Sequence, residues 1–162
     1  MLTMDSAGAR NEGFAARGGG WVLGQVVLTT AVIGLGLIYP GEPRIGVRIA
    51  GAIMLLAAAA VGVAGLAAQG RRLTPFPKPR PETRLIQHGI YSLVRHPLYA
   101  CNLCAFFGWA LFRNSAPTGA LALASVLFFA LKARREEIWL RERFPDYEDY
   151  AKRVRRFIPW VY

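Results

Sequence analysis

A chain of 162 residues has room for one domain, and this one joins 54% hydrophobic residues to a net charge of +10. One soluble core cannot hold that much apolar surface beside that much charge, so the two must be segregated along the chain. They are: residues 21–39, 49–68, 97–112 and 115–131 carry no charged side chain, and the basic residues flank these runs. That pattern points to anionic headgroups or an anionic substrate, and away from nucleic acid.

Residues 1–20 are rich in Gly and Ala and predict a flexible tail. The first apolar run, 21–39, is too long for the ~7–15 residue core of a signal peptide and predicts a retained transmembrane helix. Gly24, Gly34 and Gly36 in this run, and Gly51, Gly62 and Gly65 in the second, predict close helix packing within a scaffold of two spans over 21–68. Tyr39-Pro40-Gly41-Glu42-Pro43 is the turn between them. Two basic residues precede the first run, six lie from Arg71 to Arg95 and nine from Lys132 onward. By the positive-inside rule this bias puts both termini and the 69–96 loop in the cytoplasm.

Prolines at 75, 77, 79 and 81 forbid a helix and predict an extended strap, either a linker or a lid. Next comes His88-Gly89-Ile90-Tyr91-Ser92-Leu93-Val94-Arg95-His96-Pro97-Leu98-Tyr99, which runs from polar sequence straight into the third apolar run. Pro97 keeps His96 out of the α region and suits the first turn of a helix, so a helix is predicted to start there. Its free N–H groups beside Arg95 and His96 form an anion receptor, flanked by the faces and hydroxyls of Tyr91 and Tyr99. Anchoring of a membrane helix at the headgroups explains the same basic pair equally well.

Residues 113–117 predict a tight hairpin between the third and fourth spans. Cys101 and Cys104, the only two cysteines, read as small packing residues rather than a metal or redox pair. The fourth span is predicted to run on through Lys132 as a charged helix ended by Pro145. Glu136 and Glu137 point about 100° apart on that helix, so one can meet surface arginines while the other faces the Arg95–His96 corner. Beyond it, Tyr147, Tyr150, Ala151 and Val154 share an amphipathic face, and core packing is the simpler role for the two tyrosines.

Gly89-x-Tyr91-x3-Arg95-His96-Pro97-x-Tyr99, then Glu136-Glu137-x2-Leu140-x3-Phe144, then Tyr147-x2-Tyr150-x3-Val154-x-Arg156-x-Ile158-Pro159 resembles the isoprenylcysteine carboxyl methyltransferases and the related phospholipid N-methyltransferases. Ile90, Ala100 with Cys101, and Pro145 after Phe144 depart from that pattern. The resemblance implies an all-α membrane protein of about four transmembrane helices, with a C-terminal cytoplasmic helical region over 69–162 that binds S-adenosylmethionine. It implies cofactor contacts from His88, Gly89, Tyr91, His96, Pro97, Leu98, Tyr99, Glu136, Glu137, Tyr147 and Tyr150, with Arg95, Glu137 and Arg153 near the reacting groups and no metal. The acceptor it implies is a lipid or lipid-linked molecule, first an isoprenylcysteine-like carboxylate, with an ethanolamine lipid or a small thiol as alternatives. A multi-pass protein of a bacterial inner membrane is the expected setting, and a non-enzymatic membrane scaffold is the competing reading.

Overall fold

The computed structural model describes residues 13–70, 76 and 84–161. Its helices are α1 (Gly19–Ile38), α2 (Ile45–Gln69), α3 (Pro97–Arg113), α4 (Ala116–Arg143) and α5 (Tyr147–Arg153), with a 3-10 turn at Gly89–Ser92 ahead of α3. Residues 1–12 of the expected tail, and all of the proline strap except Phe76, lie outside the described residues. Gly18, in the left-handed region at φ 81°, starts α1 inside the stretch expected to be flexible.

Helices α1, α2 and α4 are long and apolar enough to cross a membrane. Leu23 and Leu37 on α1, Ile53 and Leu56 on α2, and Leu123 and Leu127 on α4 are exposed. Such a ring of aliphatic side chains is suited to lipid, and a helix satisfies the backbone polar groups of its interior without water, as a bilayer core requires. Helix α3, the short third member of the four-span arrangement, has 17 residues, about 25 Å at 1.5 Å per residue.

Helix α2 lies along α3, while α1 packs on α3 and α4; α1 and α2 make no comparable contact with each other. The α2–α3 approach is set by Gly51, where a Cβ would overlap the backbone of Phe112 and the carbonyl of Gly108. On the other side of α3, Leu103 and Phe106 meet Val32 of α1 and Ala122, Phe129 and Ala133 of α4 in the main core.

The hairpin forms where the sequence places it. Asn114 ends α3 in the left-handed conformation at φ 47°, and the Ser115 hydroxyl caps α4 with Pro117 in the first turn. The α1–α2 turn hooks onto this hairpin: the Gly41 amide donates to the Arg113 carbonyl at 3.1 Å, and Asn114 Nδ2 donates to the Glu42 carbonyl at 2.6 Å. At the opposite end α4 continues unbroken through Lys132 to Arg143, with Pro145 just past its end. That continuity carries Lys132, Glu136 and Glu137 to the corner where α3 begins.

Candidate functional site

The corner is built from backbone first. Gly89, at φ 62°, turns the chain in a conformation other residues rarely adopt, the 3-10 turn follows, and α3 starts at Pro97 with His96 outside the helix. The segment after α5 folds back alongside. The Arg95 amide donates to the Arg155 carbonyl at 2.7 Å and the His96 amide to the Arg156 carbonyl at 3.0 Å, beside a parallel bridge between Val94 and Arg155. Tyr150 Oη donates to the Tyr91 carbonyl at 2.6 Å. Burial pushes the Tyr147 and Tyr150 hydroxyls above their ordinary titration range, so both stay neutral.

Glu137 ties these pieces together. Its side chain is fully buried and accepts from Arg95 Nη2 at 2.9 Å, from Arg156 Nε at 2.9 Å and Nη2 at 2.7 Å, and lies 3.2 Å from His96 Nε2. Arg141, one turn on, is 3.7 Å away. Arg95 Nη1 donates in turn to the carbonyls of Ala151 and Val154. A buried carboxylate so fully paired is held in place, and it holds α3, α4 and the C-terminal segment together.

Beside this knot lies a cavity of about 680 Å³ between α1, α2, α3 and α4. One wall is polar. Tyr99 Oη donates to Glu136 Oε2 at 2.6 Å, His96 Nδ1 is 3.6 Å from the same oxygen, and the His96 and Tyr99 rings stack at 5.3 Å, 5° from parallel. Arg95 reaches the cavity with its Nε buried and without a partner among the described residues. The other wall is largely aliphatic, with Val22 and Val26 of α1 and Leu66 of α2. Val26 and Leu66 are exposed or half-exposed on two helices that do not pack on each other.

The model of the phospholipid methyltransferase family matches residues 47–147, more than half of the chain. The chain belongs to the phospholipid methyltransferase family. Among its relatives is the cobalt-zinc-cadmium resistance protein CzcN of Cupriavidus metallidurans, 41% identical over 81 residues, 49% of this chain and 38% of the relative. Protein-S-isoprenylcysteine O-methyltransferase A of Arabidopsis thaliana is 31% identical over 134 residues, 77% of this chain and 66% of the relative. The B form from the same plant is 35% identical over 97 residues, 57% and 49%. The match covers less than two thirds of each of these relatives' own length.

Within this family member, Tyr91, Arg95, His96, Pro97, Leu98, Tyr99 and Glu136 come together on the cavity. Glu137 stands behind that wall, sealed off by the arginines. His88 and Gly89 are exposed at the turn, Tyr147 and Tyr150 pack beneath it, edge to face, and Arg153 is exposed and bonds to Gln87 and the Asp149 carbonyl. Glu136 pairs with Tyr99 instead of with surface arginines. The small residues of α1 and α2 predict scaffold alone, yet Gln25, Thr29 and Thr30 of α1 and Gln69 of α2 face the cavity. The signal was present: Val22, Gln25, Val26, Thr29 and Thr30 recur at helical spacing, and polar groups on one face of an apolar span mark a cavity. Gln69 Nε2 donates to Tyr91 Oη at 2.5 Å, and Lys132 Nζ donates to Gln25 Oε1 at the same distance.

Proposed function

We propose that the protein is an S-adenosylmethionine-dependent membrane methyltransferase that methylates a lipid-linked acceptor, in the first place the carboxylate of an isoprenylcysteine-like molecule. The observation that carries this reading is one cavity with a polar wall from the Arg95–Tyr99 motif and Glu136 and an aliphatic wall exposed between α1 and α2. The residues present fit the cofactor's charges. The uncapped start of α3 at Leu98, beside the Arg95 side chain that lines the cavity, suits its carboxylate. Glu136 suits its ammonium or ribose hydroxyls, and the faces of Tyr91 and Tyr99 suit adenine or sulfonium.

When bound, S-adenosylmethionine supplies a methyl group on a sulfonium, which a carboxylate oxygen takes up as the carbon–sulfur bond breaks, with no proton to remove. The protein's part is then positioning and exclusion of water. Arg95 and His96 are held rigid by Glu137, and Tyr99 orients Glu136. The gap between Val26 and Leu66 lets an acyl or prenyl chain lie in the bilayer while its head reaches the polar wall. The basic residues around the corner support a cytoplasmic face, as in a bacterial inner membrane.

The test is a calorimetric titration of detergent-purified protein with S-adenosylhomocysteine, together with transfer of labelled methyl to N-acetyl-S-farnesyl-cysteine. Wild type is expected to bind and to transfer, and Glu136→Gln to bind at least tenfold more weakly, about 1.4 kcal/mol. Absence of nucleoside binding in folded wild-type protein rejects the reading in favour of a non-enzymatic scaffold.

A further inference from the structure

Lys132 is a cavity cation that the cofactor's charges leave unused. It sits on α4 one turn before Glu136, toward the membrane, and is 1% exposed. Its Nζ donates to the neutral Gln25 Oε1 and lies 5.0 Å from the centre of the Tyr99 ring. No carboxylate among the described residues comes within ion-pairing distance of it. Glu136, on the same helix face, accepts at Oε2 from the Tyr99 hydroxyl. Arg95, the cavity's permanently charged side chain, is already paired with Glu137.

A buried ammonium held only by an amide oxygen and a ring face is a poor solution for stability. A neutral side chain at this position would still bridge α1 to α4, without the cost of desolvating a charge. Charged groups inside membrane-crossing helices are retained where they meet a substrate or an ion. The position fits an acceptor. Lys132 lies between the polar wall around Glu136 and the aliphatic wall of Val22 and Val26, where the head of a molecule anchored in the bilayer would end.

Resting on the methyltransferase reading, the geometry points to Lys132 as the acceptor's anion site. Its ammonium holds the carboxylate or thiolate of a lipid-linked acceptor beside Tyr99, and the same charge repels the ammonium head of an ethanolamine lipid. Lys132 is thereby a specificity-determining residue that selects anionic over cationic acceptors, while Glu136, one turn away, serves the positive end of the cofactor.

The experiment compares wild type, Lys132→Met and Lys132→Arg in detergent. S-adenosylhomocysteine affinity is read by calorimetry. Methyl transfer is measured to N-acetyl-S-farnesyl-cysteine, to dodecanethiol and to phosphatidylethanolamine in mixed micelles, with the farnesylcysteine carboxamide as a competitor. Lys132→Met is expected to raise KM for the anionic acceptor at least tenfold, to leave nucleoside affinity within twofold, and to leave inhibition by the uncharged carboxamide unchanged. Lys132→Arg should restore KM to within about threefold. A purely structural bridge would not separate carboxylate from carboxamide. Whichever of the carboxylate and the thiol is methylated by wild type identifies the source of the anion. The anion site is overturned by a wild-type KM in Lys132→Met, by equal losses of nucleoside and acceptor affinity, or by preferential methylation of phosphatidylethanolamine. In each of these cases nucleoside binding by wild type keeps the methyltransferase reading standing. Wild type that binds no nucleoside rejects both.

Discussion

Replacing Glu137 with alanine removes the acceptor shared by Arg95 Nη2, Arg156 Nε and Nη2, and the neighbouring His96 Nε2. Each charge-assisted bond is worth about 1.5–3 kcal/mol in isolation, but the bonds share one carboxylate and do not add. The larger effect is what stays behind. The Arg95 side chain is only 8% exposed and Arg156 21%, so two largely desolvated guanidiniums would be left without the carboxylate that lies between them. Removing one partner of a buried pair costs about 3–5 kcal/mol. For a chain of this length that lowers Tm by on the order of 10 °C. The assay is thermal unfolding in detergent followed by near-ultraviolet circular dichroism, with nucleoside affinity measured below the transition. A Glu137→Ala protein that melts with the wild type and yet fails to bind nucleoside would make Glu137 a ligand group, and its role as a clamp would be wrong.

Tyr99→Phe deletes the hydroxyl that donates to Glu136 and is expected to weaken S-adenosylhomocysteine binding about five- to tenfold, roughly 1 kcal/mol, by calorimetry, with Tm nearly unchanged. Gly51→Val places side-chain atoms on the backbone of Phe112 and should cost about 1–3 kcal/mol as α2 is forced off α3, seen as a lower Tm. Arg153→Ala, at an exposed position whose bonds reach only Gln87 and the Asp149 carbonyl, should change stability by less than about 0.5 kcal/mol and leave KM for the acceptor at the wild-type value. Tyr150→Phe should lose about 1 kcal/mol through its bond to the Tyr91 carbonyl, read from denaturant unfolding in detergent.

The sequence was most readable where a residue acts on its own backbone. Pro97 sets the start of α3, Asn114 and Ser115 set the hairpin, and the unbroken run past Leu131 sets the continuation of α4; each is decided within a turn or two of the residue concerned. Partnerships across the chain were not readable in this way. That Glu137 and Glu136 diverge follows from helical geometry, but which of them the arginines capture depends on where residues 150–156 fold back, and no local pattern encodes that return. Lys132 reaches Gln25 from more than a hundred positions away in the sequence. Arg153 and Arg156 look alike in sequence, and only the turn after α5 sends one into the knot and leaves the other at the surface. The polar face of α1 is legible in the spacing of Gln25, Thr29 and Thr30, but a helix so rich in glycine, taken alone, looks the same as packing scaffold.

The return of residues 150–156 over the start of α3 has a bearing on how the molecule is made and lost. The membrane spans can insert as each leaves the ribosome, but the carboxylate at 137 has to wait for the arginine at 156 before its ring of donors is complete. A protease that cut this return would take the Arg156 guanidinium away from Glu137 while leaving the three long apolar helices whole.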